Sequence, residues 1–155
     1  MKRRLVLLLA TGFGTGLSPV ASGTTGSLPG VVLVAALAGL PGAARVAAAL
    51  VLAALAFPLC GAADAVYGTK DDKRIVADEY LTFPLCTLGL PWTAHWWLLP
   101  MAFVVCRAMD VLKPFPAYRS QKLRGGIGIA MDDLIASLYA LAVNHVLFFA
   151  VQTWG

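Results

Sequence analysis

Four long stretches of this 155-residue chain carry no formally charged side chain, and they limit the possible folds more than any other feature. They cover residues 5–44, 46–63, 80–106 and 134–155, which are 40, 18, 27 and 22 residues long. A helix that crosses the hydrocarbon of a bilayer needs about 20 apolar residues. The runs are continuous in Val, Leu and Ala, without the alternation of a membrane-spanning strand. The sequence therefore predicts an all-α fold, a polytopic helical membrane bundle that forms one domain over residues 1–155.

Composition and charge exclude other classes of protein. Hydrophobic residues make up 59% of the chain and charged residues only 13%, whereas about a quarter of the residues of a soluble protein are charged. The net charge of +4 comes without a basic face, so nucleic acid is not indicated as a partner. Cys60, Cys86 and Cys106 lie scattered in apolar runs without the spacing of zinc ligands. We expect these cysteines to be packing residues.

The number of spans depends on whether residues 80–106 form one helix or bend near Pro91. With one helix, four spans divide the twelve basic residues six to six between the two sides. With a bend, five spans place eleven of them on the cytoplasmic side and only Arg45 outside, as the positive-inside rule favours. We therefore predict about five helices, at roughly 28–43, 46–66, 75–90, 94–112 and 129–152. Residues 17–28, rich in Gly, Ser and Thr, are predicted to form a loop at the cytoplasmic surface.

Five acids fall at predicted helix ends on the cytoplasmic side, each flanked by apolar residues. They are Asp78, Glu79, Asp110, Asp132 and Asp133. Clustered carboxylates repel one another unless a cation lies among them, and hard oxygen ligands suit Mg²⁺. The alternative is that these acids only stabilise helix N-termini or are solvated. We predict a Mg²⁺ site here and assign solvation to Asp71 and Asp72, which lie in the polar sequence TKDDKR.

Two further segments have the chemistry of a phosphate site. Arg107, Asp110 and Lys113 are spaced i, i+3, i+6 and so share one stripe of a helix, which alternatively forms only salt bridges within that helix. The segment GFGTGLSPVASGTTGS at 12–27 offers hydroxyls and backbone N–H groups, with Ser27 predicted as the N-cap of the first helix. Its candidate phosphate-binding residues are Gly14, Ser18, Thr24, Thr25, Gly26 and Ser27. A glycine-rich turn without a ligand is the alternative for this segment.

Signatures of other phosphate chemistries are missing from the sequence. There is no GxxxxGK[ST] nucleotide loop, no CxxxxxR phosphatase loop and no DxDxT motif of aspartyl-phosphate enzymes. His95 and His145 have no accompanying arginine and serine motifs, so we expect them to be packed or interfacial. A Ser-His-Asp hydrolase is not indicated either, because Ser18 and Ser27 have no histidine or other evident base near them in the sequence.

Several short motifs, taken together and in order, resemble the phosphatidylglycerophosphatase A family of bacterial membrane lipid phosphatases. They are GFGTGLSP at 12–19, GTTGSL at 23–28, DE at 78–79, RAMDVLKPFP at 107–116 and GGIGIAMDD at 125–133. One departure is Thr82, which stands where the family often has glycine. Because threonine is larger than glycine, a close contact between helices is less certain at this position.

The resemblance implies a Mg²⁺-dependent enzyme of the bacterial inner membrane that hydrolyses phosphatidylglycerol phosphate to phosphatidylglycerol and inorganic phosphate. The family's acids map onto the five acids named above, which we assign to metal binding and catalysis, and its basic residues map onto Arg107 and Lys113. A phosphatase for another lipid phosphate, or a small membrane transporter subunit, are the alternatives. The sequence is compatible with attack by water and by a carboxylate, and it predicts no particular oligomeric state.

Overall fold

In the computed structural model, which describes residues 3–69 and 72–154, all regular secondary structure is helical. The described residues form seven α-helices: α1 (Arg3–Ala10), α2 (Ser22–Ala36), α3 (Gly42–Tyr67), α4 (Ala77–Thr82), α5 (Leu98–Leu112), α6 (Ala117–Ser120) and α7 (Gly125–Trp154). Two short 3-10 helices, Thr15–Leu17 and Phe83–Thr87, lie between them. The prediction of an all-α fold is confirmed, and the prediction of about five helices is wrong.

Helices α3 and α7 pack against each other and organise the bundle. Among the described residues, these two helices are long and apolar enough to cross a membrane, with mean hydropathies of 2.3 and 2.0. Their backbones approach closely where Gly61 faces Gly126, because a Cβ atom on Gly126 would lie 2.6 Å from the Gly61 nitrogen and would overlap the Phe57 carbonyl oxygen. Small residues at a crossing are the usual way in which apolar helices come close together.

The predicted helix over 75–90 is wrong, because α4 ends at Thr82 and continues as the 3-10 helix Phe83–Thr87. Pro84 lies at the start of this 3-10 helix and has no N–H group to extend the α-helical hydrogen bonds. Both pieces are buried among α2, α3 and α7, so they form the interior of the bundle. The predicted bend near Pro91 is present, since turns join the 3-10 helix to α5.

The predicted loop over 17–28 is also wrong, because α2 begins at Ser22 with Ala21 as its N-cap. Ser27 is therefore an internal helical residue and not a cap. Glycine has a low helix propensity, but here it permits close packing of α2. A Cβ atom on Gly26 would lie 2.5 Å from Val76, and one on Gly30 would lie 2.7 Å from Phe83. The Gly-rich segment therefore forms the small-residue face of a helix.

Two further expectations about the packing have clear outcomes. Cys60, Cys86 and Cys106 are buried, as expected of packing residues. The expectation of a less certain contact at Thr82 is wrong, since Thr82 is buried and its hydroxyl accepts a hydrogen bond from Ser137 on α7 at 3.2 Å.

The crossing of α3 and α7 gives a stability prediction. Gly126→Ala places a methyl group against the backbone of α3 and should lower the free energy of unfolding by about 1–3 kcal/mol. Gly42→Ala, at the first residue of α3, is the matched control, because a Cβ atom there meets nothing within 4 Å. Thermal unfolding of both variants in detergent measures the difference. Equal unfolding temperatures for the two variants would contradict the close crossing.

Candidate active site

Three carboxylates from two helices meet at one end of the bundle. Asp110 lies near the end of α5, and Asp132 and Asp133 lie about two turns after the start of α7. Carboxylate oxygens of these three residues lie within 4.8 Å of one another. Asp132 and Asp133 are buried, while Asp110 is partly exposed. Carboxylates this close repel one another unless positive charge lies between or beside them.

Two basic residues, one on α5 and one at its C-cap, provide positive charge beside the acids. The Arg107 Nη1 atom lies 2.9 Å from Asp110 Oδ2, and the Lys113 Nζ atom lies 3.7 Å from Asp110 Oδ1. Lys113 also forms a hydrogen-bonded ion pair with Asp132 across to α7. Burial opposes the charge on Lys113, but its hydrogen bond to Asp132 and the nearby acids outweigh this effect and raise its pKa. The predicted stripe is confirmed for Arg107 and Asp110. It is wrong for Lys113, which follows the last residue of α5 as its C-cap with a φ of 44° and so lies outside the helix.

Arg107 connects this group to a second set of residues on α2 and α4. Its Nη1 atom donates to Glu79 Oε2 at 3.0 Å, and the Ser27 hydroxyl donates to the same oxygen at 2.7 Å. Gly23 lies directly against this pair, because a Cβ atom there would be 2.6 Å from Arg107 Nη2 and 2.8 Å from Glu79 Oε1. A side chain at this position would require the end of the Arg107 or the Glu79 side chain to move.

Glu79 and Asp78 are neighbours on α4, and both side chains are largely shielded from solvent. Asp78 is buried, and the Glu79 side chain is 13% exposed. The pKa of Glu79 is raised to about 9, chiefly by burial and also by the charge of Asp78, whereas Arg107 and Ser27 oppose the shift. A cation close to these acids would favour their charged forms.

The two carboxylate oxygens of Asp132 differ in their contacts, and one of them is suited to bind a cation. Its Oδ2 atom accepts a hydrogen bond from Gln121 Nε2 at 2.9 Å, in addition to the bond from Lys113. Its Oδ1 atom is buried and, within residues 3–69 and 72–154, has no hydrogen-bond partner. A buried carboxylate oxygen left open beside two other carboxylates fits a hard cation such as Mg²⁺.

The predicted phosphate-binding residues of the N-terminal segment separate into two groups. Ser27 lies in the cluster. The others lie outside it. The Ser18 hydroxyl donates to the Val20 carbonyl, and the Thr25 hydroxyl donates to the Thr15 carbonyl. Gly26 packs against Val76, Thr24 is exposed, and Gly14 takes a left-handed conformation with a φ of 98°. The hydroxyl groups of Ser18 and Thr25 thus support the local fold. A role for these residues in phosphate binding stays a prediction.

Sequence reasoning missed Gly23 and Gln121 as parts of the cluster. Gly23 had a detectable signal, since it stands four residues before Ser27 and therefore on the same face of a helix. That signal depends on recognising α2 as a helix from Ser22 onward. Gln121 follows the short helix α6, and its contact with Asp132 depends on how the chain returns after Pro116. No local pattern indicates that return.

Comparison with known proteins identifies the class as a phosphatase, a phosphoric monoester hydrolase. The model of the family "Phosphatidylglycerophosphatase A" matches residues 8–148, and the chain belongs to this family. It is 40% identical to phosphatidylglycerophosphatase A of Haemophilus influenzae, over 95% of this chain and 88% of that protein. The Escherichia coli protein of the same name is 31% identical, over 95% and 84% of the two chains.

A further relative has a different name. It is a protein of Bacteroides thetaiotaomicron with the provisional name phosphatidylinositol-3-phosphatase, and it is 31% identical over 97% of this chain and 94% of that protein. No solved structure matches the chain.

The cluster gives a prediction for the acids. Asp110→Asn, Asp132→Asn and Asp133→Asn should each lower phosphatase activity by more than about 100-fold, since even residues that only orient a ligand cost about 10–100-fold. The control is Asp72→Asn in an exposed segment, where a hydrogen bond from Arg74 holds the pKa of Asp72 well below its usual range. Its activity should stay within about twofold of the parent. An equal loss in Asp72→Asn would remove the distinction between the cluster and the surface acids. Asp71, the other acid predicted to be solvated, lies outside the described residues.

Proposed function

We propose that this chain is a Mg²⁺-dependent phosphatase that converts phosphatidylglycerol phosphate to phosphatidylglycerol and inorganic phosphate. The observation that carries the proposal is the group of three carboxylates, Asp110, Asp132 and Asp133, with Arg107 and Lys113 beside it. Carboxylates that hold a metal, together with cations that face phosphate oxygens, are the chemistry that phosphoryl transfer requires. Membership of the family supports the choice of substrate.

The three carboxylates would hold Mg²⁺, with Asp78 and Glu79 completing the acidic cluster. When bound, the ion neutralises charge on the phosphate and polarises its phosphorus centre. Arg107 and Lys113 exchange part of their contacts with the acids for contacts with phosphate oxygens, where they stabilise the charge of the transition state. Their ion pairs with Asp110 keep both cations in place before substrate arrives.

Glu79 is our candidate for the general base. Ser27 and Arg107 fix its Oε2 atom from two sides, so the direction of the carboxylate is set. In direct hydrolysis, water attacks phosphorus, the bond from phosphorus to the ester oxygen breaks, and Glu79 accepts the proton of the water. The leaving alcohol oxygen takes a proton from solvent. Attack by a carboxylate is the alternative route, and labelling from ¹⁸O-water in a single turnover distinguishes the two.

An apolar groove next to the cluster supports a lipid substrate. It lies between α2 and α5, has a volume of about 290 Å³, and is lined by Leu28, Val31, Leu99, Pro100, Phe103 and Val104. Leu28 follows Ser27 in the chain, and Phe103 lies one helical turn before Arg107. The groove therefore begins beside the charged residues, and an acyl chain fits its apolar walls.

We also propose that the protein is a multi-pass protein of the bacterial inner membrane with its active site on the cytoplasmic side. Helices α3 and α7 have the length and hydropathy for spans. Their surfaces carry exposed apolar side chains, including Leu50, Val51, Val146 and Phe149. The distribution of basic residues supports the cytoplasmic placement of the acids.

A second candidate substrate is a phosphorylated phosphatidylinositol. The observation in its favour is the relative from Bacteroides thetaiotaomicron, which covers nearly the whole chain. The two candidates share a phosphomonoester on a lipid headgroup and differ in whether glycerol or inositol carries it. The carboxylate cluster fits both, so the choice depends on residues around the headgroup.

Phosphate release from defined lipids tests the proposed function. Purified protein should release phosphate from phosphatidylglycerol phosphate in mixed micelles with Mg²⁺, at least about tenfold faster than from phosphatidylinositol 3-phosphate. Chelation by EDTA should abolish the release, and added Mg²⁺ should restore it. Faster hydrolysis of the inositol lipid would select the second candidate, and full activity in EDTA would reject the metal-dependent reaction.

A labelling experiment tests the orientation in the membrane. Thr69 and Lys122 lie at the acidic end of the bundle, while Thr93 and Thr153 lie toward the opposite end, where His95 contacts Phe148 of α7. Single cysteines at these four exposed positions, in a background without the native cysteines, are treated with a membrane-impermeant thiol reagent on spheroplasts. Labelling at 93 and 153 only is expected. Labelling at 122 from outside would contradict a cytoplasmic active site.

A further inference from the structure

A hydrogen-bonded layer of three small polar side chains lies in the interior of the bundle. Thr82 of α4, Ser137 of α7 and Cys106 of α5 are at most 9% exposed. The Ser137 hydroxyl donates to Thr82 Oγ1 at 3.2 Å, and the Thr82 hydroxyl donates to the Asp78 carbonyl at 2.7 Å. Cys106 Sγ lies 3.7 Å from Ser137 Oγ. The three side chains thus join three different helices.

These hydrogen bonds can all form in one direction. With the Ser137 proton directed at Thr82, the Cys106 thiol is the donor in its contact with Ser137. Protons are therefore donated from α5 to α7, from α7 to α4, and finally to the backbone of α4. Each donor in this series has a defined acceptor, which favours one relative position of the three helices.

Each member of the layer lies four residues from an acid of the candidate active site. Thr82 follows Asp78 by four residues, Ser137 follows Asp133 by four, and Cys106 precedes Asp110 by four. The order is reversed on α5 because that helix runs toward the acidic end, whereas α4 and α7 run away from it. Residues four apart lie on the same face of a helix, about 5–6 Å apart. The polar layer therefore lies one helical turn beneath the acids.

We propose that Thr82, Ser137 and Cys106 are positioning residues, which hold three acid-bearing helices in register so that their carboxylates keep the spacing a divalent cation requires. This inference rests on the metal-dependent reaction proposed above.

The physical need for such a layer follows from the charges above it. The carboxylates repel one another, and this repulsion pushes the helices apart when no cation is bound. The apolar side chains of the bundle resist separation, but they allow small sliding and rotation, because dispersion contacts have little directional preference. A shift by one residue along a helix moves a side chain by about 1.5 Å and turns it by about 100°. Directional hydrogen bonds between α4, α5 and α7 oppose such a shift.

The test is direct measurement of metal binding in a variant that keeps the shape of the layer but removes its hydrogen bonds. Thr82→Val replaces the hydroxyl with a methyl group, and Thr82→Ser restores a hydroxyl. Thr87→Val is the matched control, since Thr87 is also buried and its hydroxyl donates to the Pro84 carbonyl at 2.9 Å, a hydrogen bond within its own 3-10 helix. Mn²⁺ binding is followed by electron paramagnetic resonance of the purified protein, and thermal unfolding in EDTA reports the stability of each variant.

We expect Thr82→Val to weaken Mn²⁺ binding about tenfold, the lower end of the range for residues that orient metal ligands. Thr82→Ser and Thr87→Val should bind within about twofold of the parent, although Thr87→Val loses a buried hydrogen bond of the same kind. Ser137→Ala removes the next hydrogen bond of the layer and should also weaken Mn²⁺ binding. It provides the test if Thr82→Val does not fold. Parental Mn²⁺ affinity in folded Thr82→Val, or in Ser137→Ala, would overturn the inference, as would equal weakening in Thr87→Val.

The failure of this inference and the failure of the proposed function give different results. A parent protein that binds no Mn²⁺ and releases no phosphate rejects the proposed function. A parent that binds Mn²⁺ and hydrolyses the lipid, beside a Thr82→Val protein with unchanged binding, rejects only the role of the layer.

Discussion

Arg107 on α5 and Lys113 at the C-cap of α5 form ion pairs with acids of three helices, and the arrangement of the acidic end depends on these contacts. Arg107 pairs with Glu79 of α4 and with Asp110 of its own helix α5, and Lys113 pairs with Asp132 of α7. Without these cations, buried carboxylates from several helices would repel one another in surroundings that screen charge poorly. The two basic residues therefore allow the acids to converge, and the same cations are suited to bind a phosphate group.

The apolar part of the molecule supplies the framework for this charged end. Close approach depends on small residues at two crossings: Gly61 and Gly126 between α3 and α7, and Gly23 where α2 meets Arg107 and Glu79. At both places the backbone of one helix takes the space that a side chain would fill. The burial of α4 inside the bundle places Glu79 in contact with Arg107 of α5. Close packing of the helices thus positions the same helix ends that carry the charged side chains.

The all-α fold, the pairing of Arg107 with Asp110 on α5 and the presence of several acids at one end could be predicted from sequence, because they follow from hydropathy, from helical spacing and from the positive-inside rule. The start of α2 could not, since its Gly, Ser and Thr residues have low helix propensity and only tertiary contacts such as that of Gly26 with Val76 stabilise the helix. The break after Thr82 was missed because the run of apolar residues continues through it. Gln121 and the layer of Thr82, Ser137 and Cys106 are defined by contacts between distant segments, which no local pattern contains.

The central claim is that Asp110, Asp132 and Asp133 form the metal centre of a phosphatase. Anomalous diffraction from crystals of the protein grown with Mn²⁺ and a non-hydrolysable phosphonate analogue of the lipid tests it most directly. The account predicts an anomalous peak bounded by these three carboxylates, with the phosphonate between the metal and the side chains of Arg107 and Lys113. A peak at another place, or none in crystals of protein that is active in the same Mn²⁺ concentration, would contradict it.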